Sequence, residues 1–180
     1  ECDRVAVGYS LVPNVELARH LGCKVRNGAV VVDERQRTSV AGVLAAGEIC
    51  GVKGAAGALL DGGGAALEAM GSEDPSPPSL DAERDFGERM KAAFVLRNEI
   101  MDLADDDTIL CRCEDVSFGE VRTYESWTAA KLQTRCGMGH CQGRVCGAAT
   151  RALLGWGPSS SRPPLVPIPI GQLMNERIEP

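Results

Sequence analysis

This 180-residue sequence has few aromatic residues, fewer basic than acidic residues and no long apolar run. Each of these features excludes a class of structure or partner. Aromatics make up 4% of the chain, so its cores must rest on Ala, Val and Leu. Lys and Arg number 19 against 25 Asp and Glu, which gives a net charge of −6. That balance argues against a nucleic-acid partner, because such a partner needs a basic surface. No apolar run approaches the ~20 residues of a membrane span.

An initiator Met and a secretory signal are also absent. The chain begins Glu-Cys-Asp-Arg and passes at once into the strand-like segment Val5–Val7. We therefore expect a piece cut from a longer polypeptide.

Cysteine, by contrast, is plentiful and unevenly placed. Three of the eight cysteines are scattered, whereas five fall within residues 111–146. Disulfide frameworks belong to oxidising compartments, and clustering of this kind favours a metal site over disulfides. The distribution thus predicts a cytoplasmic protein that binds metal through cysteine.

Four of the clustered cysteines form two close pairs, Cys111 with Cys113 and Cys141 with Cys146. Four thiolates suit either a [2Fe–2S] cluster or a structural zinc ion. Zinc ribbons prefer two residues between paired cysteines, and the gaps of one and four residues here fit that pattern less well. The spacing favours [2Fe–2S] and leaves zinc as the alternative.

The fifth clustered cysteine, Cys136, leaves the ligand list open, because it lies as far before Cys141 as Cys146 lies after it. Cys146 begins a predicted helix, where the positive end of the dipole should lower its thiol pKa. This favours Cys146 as the ligand and leaves Cys136 as a bystander or a neighbouring thiol. His140 is expected at the surface, since a Rieske-type site needs two histidines and the only other one is the distant His20.

Glycines and arginines around these cysteines suit a thiolate centre. Glycines crowd the second pair and should let the backbone aim N–H groups at sulfur. Arginines close to the cysteines could offset the charge of four thiolates: Arg112, Arg135 and Arg144.

The pattern along the chain predicts an α/β region over 1–71, followed by a small helical domain over 108–156. Strands are expected at Val5–Val7, Ala29–Val32 and Val43–Ala46, the last buried on both faces because it is wholly apolar. Helices are expected from Pro13 to Leu21 and from Ala55 to Met70.

Between and after these regions the composition changes. Residues 72–79 are predicted to be a linker and residues 80–103 a packing helix, within a connecting region that runs over 72–107. Within 108–156, Ser117 and Glu120 form a capping-box pattern, and helices are expected at 128–134 and 146–154. The Pro-rich tail over 157–180 is expected to be extended.

A turn that joins glycine to an acid closes the third predicted strand, at Gly47 and Glu48. In a flavoprotein, such a glycine lets the backbone approach the cofactor, the carboxylate accepts a ribityl hydroxyl, and the next helix N-terminus faces polar cofactor groups. The alternative is a plain strand–loop–helix packing unit.

Both halves together resemble a known family. Thr38–Glu48 resembles the flavin-contacting motif T-S-x-x-G-[VI]-[YF]-A-A-G-[DE] of two-dinucleotide-fold flavoproteins. Cys-Arg-Cys-Glu-Asp-Val at 111–116 and Thr-Arg-Cys-Gly-Met-Gly-His-Cys-Gln-Gly-Arg-Val-Cys at 134–146 resemble the domain related to bacterioferritin-associated ferredoxin. The order of modules is similar to the FAD- and iron–sulfur-carrying subunit of opine oxidases, hydrogen cyanide synthase and dye-linked proline dehydrogenases.

This resemblance implies a partial FAD-binding dinucleotide fold followed by a [2Fe–2S] ferredoxin-like domain. It implies cluster ligands at Cys111, Cys113, Cys141 and Cys146, and FAD contacts at Gly47, Glu48, Gly54, Ala55 and Ala56. The chain departs from the family in several features. The G-x-G-x-x-G fingerprint and the nicotinamide-binding fold are absent, Asp61-Gly-Gly-Gly stands where relatives carry Glu-Gly-Arg, and the gap between Cys113 and Cys141 is a few residues short.

The function that we predict is electron relay between FAD and an acceptor, within an oxidoreductase subunit that takes part in oxidising an amino acid or opine. Substrate oxidation is expected on a second flavoprotein subunit, and no catalytic acid or base is assigned here. A zinc-stabilised interaction module and an incomplete, inactive gene product are the alternatives.

Overall fold

The computed structural model of the chain describes residues 2–8, 11–72, 80–158, 164–166 and 168–175. The chain divides into two compact units. We call residues 1–12 with 88–159 the cysteine unit, and residues 13–87 with 160–180 the glycine-turn unit. The predicted domain limits stay predictions, and nearly all of the predicted linker lies outside the described residues.

Helices predominate among the described residues, and the strands form two short hairpins between them. The helices are α1 (Glu16–His20), α2 (Gly54–Ala69), α3 (Leu80–Ala93), α4 (Asn98–Met101), α5 (Phe118–Val121), α6 (Trp127–Thr134), α7 (Cys146–Leu154) and α8 (Ile170–Asn175), with a 3₁₀ helix at Gly47–Cys50. The strands are β1 (Val25–Arg26), β2 (Ala29–Val30), β3 (Ile109–Cys111) and β4 (Val116–Ser117).

The glycine-turn unit begins with α1 and a β1–β2 hairpin. Val25 pairs with Val30 in antiparallel register, and Asn27 and Gly28 both take positive φ angles, of 51° and 78°. Two successive residues with positive φ make the tight hairpin turn that Asn-Gly favours. A small core forms behind it, from Val15, Ala18, Cys23 and Val30.

Two of the predicted strands are wrong. Val5 and Val7 are 77% and 64% exposed, and residues 2–8 adopt no strand. Val43–Ala46 is half-buried, and its one bridge joins Leu44 to Arg37. An apolar run becomes a strand buried on both faces only where neighbouring strands satisfy its backbone groups. Among the described residues, Val43–Ala46 is bonded on one side only, through Thr38 N–H to Val43 O and Ala45 N–H to Gln36 O, and Val5–Val7 belongs to no strand.

The helices predicted between residues 13 and 103 are confirmed in part. α2 confirms the helix expected over 55–70, whereas α1 covers only Glu16–His20 of the expected 13–21. The single helix predicted over 80–103 is wrong, because α3 ends at Ala93 and Arg97 is extended before α4 begins. Phe94 and Val95 between them are both more than 60% exposed, so no buried apolar face holds a continuous helix there.

The cysteine unit is built on the β3–β4 hairpin and helices α5 to α7. Ser117 and Glu120 form the predicted capping box: Ser117 N–H donates to the Glu120 carboxylate at 2.8 Å, and Glu120 N–H donates to Ser117 Oγ at 3.3 Å. α7 begins at Cys146 as predicted, and α6 begins one residue before its predicted start. The core residues are Leu110, Cys111, Val116, Val121, Ala130, Cys136 and Cys146.

The predicted extended tail is wrong at its end. Residues 164–166 and 168–169 adopt neither helix nor strand, but Ile170–Asn175 forms α8 directly after Pro169. Proline favours the start of a helix, since its fixed φ suits the first turn and its missing N–H is not needed there.

Candidate functional site

Three buried thiols meet at the centre of the cysteine unit. Cys111 ends β3, Cys136 follows α6, and Cys146 begins α7. Their Sγ atoms all lie within 4.8 Å of one another, and the three residues are 2%, 0% and 1% exposed. Three elements that are distant in sequence therefore bring sulfur to one enclosed point.

The other two clustered cysteines lie outside this core. Cys113 is exposed, Cys141 is half-buried, and their side chains hydrogen-bond each other. Of the four predicted ligands, the structure thus places Cys111 with Cys146 and Cys113 with Cys141. Cys136, which the spacing left as a possible ligand but the predicted helix start disfavoured, occupies an inner position. The ligand set stays a prediction.

Backbone N–H groups point at two of these sulfurs, as the surrounding glycines predicted. Gly137 N–H donates to Cys111 Sγ at 3.5 Å. Partial burial disfavours a thiolate at Cys141, but hydrogen bonds from the N–H groups of Val145 and Gly143 outweigh it and lower the pKa of the Cys141 thiol. The turn thus supplies the positive partial charges that a thiolate needs.

The predicted effect of the α7 dipole on Cys146 is wrong. The pKa of the Cys146 thiol is raised, first by its hydrogen bond with Cys136 and then by burial. The hydrogen bond with Cys136 and the cost of burying a charged sulfur together outweigh the stabilisation of a thiolate by the end of the helix dipole. A cation bound by the neighbouring sulfurs would reverse this balance, since a coordinated thiol loses its proton.

Small residues shape the space around the sulfurs. A Cβ on Gly143 would lie 2.9 Å from the Trp127 ring, and one on Gly137 would strike the same ring. A Cβ on Gly139 would collide with the side chain of Cys113. The glycines therefore let Trp127 cover the turn and let Cys113 approach it. Clustered thiols, N–H donors and a turn that excludes side chains fit a thiolate-bound metal or cluster.

Two of the arginines expected to offset the thiolate charge make described contacts with groups other than the sulfurs. Arg135 Nε lies 2.8 Å from the Glu114 carboxylate, so part of its charge is already neutralised. Arg144 Nη1 donates to the Cys141 carbonyl at 3.4 Å and thus braces the backbone of the turn. His140 is exposed, as expected.

The predicted flavin-contacting residues lie along one loop of the glycine-turn unit. Gly47 opens the 3₁₀ helix with a φ of 82°, and Gly54 opens α2 with the same value, so both positions need a residue without a side chain. Glu48, Ala55 and Ala56 are exposed. The loop therefore offers backbone groups and one carboxylate at the surface, and the assignment of these residues to FAD stays a prediction.

A buried network behind this loop was missed from the sequence. The Asp61 carboxylate is 1% exposed and accepts from Lys53 Nζ at 2.6 Å, from Gln36 Nε2 at 3.2 Å and from Gly47 N–H at 3.2 Å. Asp61 was noticed as a departure from relatives, but its contact with Gly47 depends on the fold. The network ties the glycine turn to the middle of α2.

Lys53 reaches Asp61 by lying along α2. A Cβ on Gly57 would meet the Lys53 stem at 2.6 Å, so the glycine leaves the path of that stem open. Cys50 lies near the ion pair, and burial, followed by the charge of Asp61, raises the pKa of its thiol to about 11.

Comparison with known proteins identifies a matching family and homologous subunits. Residues 1–70 match the family described as pyridine nucleotide-disulphide oxidoreductase. The chain is 32% identical to an opine oxidase subunit of Rhizobium meliloti, over 99% of this chain and 45% of that protein. It is 28% identical to the hydrogen cyanide synthase subunit HcnB of Pseudomonas aeruginosa, over 97% of this chain and 44% of that protein.

A further match is shorter. The chain is 41% identical to a CoA-dependent NAD(P)H sulfur oxidoreductase of Pyrococcus furiosus, over 29% of this chain and 12% of that protein. No solved structure matches the chain. Among the helices of the described residues, none has the length and apolar character to cross a membrane.

The chain spans somewhat less than half the length of the two subunits that it matches over nearly its whole extent. The family match over 1–70 implies FAD binding by a dinucleotide fold, and the relatives are named as subunits of an oxidase and a synthase. The resemblance seen in the sequence is therefore confirmed: the chain is a homologue of the oxidoreductase subunits found in opine oxidase and in hydrogen cyanide synthase.

Proposed function

We propose that the chain is the part of an oxidoreductase subunit that relays electrons between FAD and an acceptor through one [2Fe–2S] cluster. The observation that carries this proposal is the clustering of five cysteines within residues 111–146, three of them buried with their sulfurs within 4.8 Å of one another. A homologous flavoprotein region, residues 1–70, precedes these cysteines in the same chain and would supply an electron donor or acceptor.

The flavin side of the proposal rests on the loop from Gly47 to Ala56. Gly47, Glu48, Gly54, Ala55 and Ala56 are the residues that we expect to contact FAD. The exposed Glu48 carboxylate can accept a hydroxyl hydrogen, and the N-terminus of α2 presents unpaired backbone N–H groups. The buried Asp61 holds the backbone of the loop from behind through Gly47 N–H.

The cluster side starts from the four thiols predicted from the sequence: Cys111, Cys113, Cys141 and Cys146. A bound [2Fe–2S] cluster would supply one-electron chemistry, with a potential set by hydrogen bonds to sulfur and by exposure. Gly137 N–H would hold and tune the Cys111 sulfur, and Trp127 would exclude water from the turn. A ferredoxin-like domain over 108–156 is part of this proposal.

The relatives support a proposal about the partner, and the cysteines support one about the location. Since those proteins are named as subunits, we propose that this chain works beside a second flavoprotein subunit. That partner would carry the site at which an amino acid or opine is oxidised from amine to imine. A cytoplasmic location fits the reduced thiols that the centre requires.

Metal analysis tests the proposal directly. The full chain is purified without oxygen and assayed for iron, acid-labile sulfide and zinc, and the reduced protein is examined by EPR. We expect two irons and two sulfides per chain and a signal that appears on reduction. Zinc without a reducible cluster would overturn the electron-relay proposal.

A second candidate is a zinc-stabilised interaction module. The close approach of Cys111, Cys136 and Cys146 favours it, because three thiolates around one tetrahedral ion lie only about 3.8 Å apart when each metal–sulfur bond is about 2.3 Å. This candidate predicts a colourless protein with one zinc ion per chain and no change of absorption on reduction.

A further inference from the structure

Cys136 has the surroundings of a ligand rather than of a core residue. Its side chain is fully buried, its sulfur lies within 4.8 Å of the sulfurs of Cys111 and Cys146, and it hydrogen-bonds Cys146. A buried cysteine that only fills space behaves as a small apolar side chain. Here two of its neighbours are the sulfurs of the candidate centre.

Local structure fixes Cys136 in this position. α6 ends at Thr134 and is capped by Arg135, which takes the left-handed conformation with a φ of 65°. Cys136 N–H then donates to Thr134 Oγ1 at 3.2 Å, while Thr134 Oγ1 donates to the Ala130 carbonyl at 2.7 Å. The helix end thus turns the chain inward at Cys136, toward Cys111 and Cys146.

Cys113 is the predicted ligand with the weakest position. It is exposed. The thiol with which its side chain forms a described hydrogen bond is the outer Cys141. Three sulfurs, by contrast, lie together without Cys113: those of Cys111, Cys136 and Cys146.

We infer that Cys136 is a fifth thiol ligand of this metal centre, able to take the coordination position that the sequence-based set gives to Cys113. The inference rests on the proposed function in one respect only, namely that a thiolate-bound metal group occupies the cysteine unit. Tetrahedral thiolates lie about 3.8 Å apart, so the inner sulfurs need only small side-chain adjustments to bind one ion together.

The test compares four variants of the full chain: Cys136→Ser, Cys113→Ser, the double variant, and Cys23→Ser as the matched control. Cys23 is also buried, but it lies in the glycine-turn unit beside Thr38. Each protein is reconstituted without oxygen using ferrous iron and sulfide. Iron and sulfide per chain, visible absorption and the EPR spectrum after reduction are then measured.

We expect Cys113→Ser to retain its iron, because Cys136 can take the coordination position that Cys113 leaves. The double variant should lose its iron, because both thiols that could take that position are gone. Cys136→Ser should lose iron or shift the EPR spectrum, and Cys23→Ser should match the parent chain. The inference is overturned if Cys136→Ser leaves iron content and spectrum unchanged in both the parent and the Cys113→Ser background.

Two controls separate this inference from its neighbours. Far-UV circular dichroism and a Cys136→Ala variant show whether lost metal reflects lost ligation or lost folding. If the parent chain holds zinc and no reducible cluster, the electron-relay proposal is wrong. The ligand role of Cys136 is then tested in the same variants by measuring zinc content and the thiolate absorption of bound cobalt. A parent chain that binds neither iron nor zinc overturns both proposals.

Discussion

Asp61 should be the most costly single polar side chain to remove from the glycine-turn unit. Its carboxylate is 1% exposed and accepts hydrogen bonds from Lys53, Gln36 and Gly47. Asp61→Ala leaves an ammonium group and two N–H donors without their acceptor in a region largely shielded from water.

The expected magnitude follows from the exposure of each partner. Removing one partner of a buried ion pair costs about 3–5 kcal/mol. The Lys53 side chain is 15% exposed, so its ammonium group can turn partly toward water. We therefore expect the free energy of unfolding to fall by an amount near the lower limit, about 3 kcal/mol. Adding Lys53→Met should recover part of that loss, since it removes the unpaired charge.

Urea unfolding of the full chain measures this loss. Far-UV circular dichroism reports both units, whereas tryptophan fluorescence reports the cysteine unit, which holds Trp127 and Trp156. Glu88→Ala is the matched control, since its ion pair with Lys91 is exposed on both sides and should contribute less than about 1 kcal/mol. A loss as small for Asp61→Ala as for the control would refute the reasoning.

The remaining predictions concern the cysteine unit and Cys50. Ser117→Ala should cost about 1 kcal/mol of stability by removing the α5 cap, measured by tryptophan fluorescence in urea. Hydrogen bonds from Ser117 lower the pKa of Glu120, so its contribution is full above about pH 4.5 and fades as the solution becomes more acidic; Glu120→Gln should flatten that dependence, and an unchanged slope would contradict it. Gly143→Ala should reduce metal content by driving a Cβ against the indole of Trp127, whereas Gly62→Ala, which has open space, should not. Cys50, whose pKa is raised to about 11, should alkylate far more slowly than the exposed Cys2 at pH 8, as followed by mass spectrometry.

Features determined by local chemistry could be predicted from the sequence. The capping box at Ser117 and the start of α7 at Cys146 depend on residues within one helical turn. The same holds for the glycine turn at Gly143, whose N–H groups meet sulfur because the loop is tight. In each case the interacting groups are neighbours in the chain, so spacing alone carries the information.

Features that depend on distant neighbours could not be predicted. Val43–Ala46 has the composition of a buried strand, but its position is decided by the strands available beside it. Asp61 is 14 residues from Gly47, and Cys136 is separated from Cys111 by two helices. Their contacts exist only after the chain has closed, so no spacing rule signals them.

The path of Lys53 along α2 has a consequence for how that helix opens. Its stem crosses Gly57 and its ammonium reaches Asp61, so one side chain joins the residue before the helix to a residue two turns inside it. Unwinding the first turn therefore requires the ion pair to break as well. The amides of residues 58–61 are the first in α2 whose N–H groups have acceptors within the helix. Instead of fraying one residue at a time, as helix ends commonly do, these amides should exchange their hydrogens with solvent as one cooperative segment.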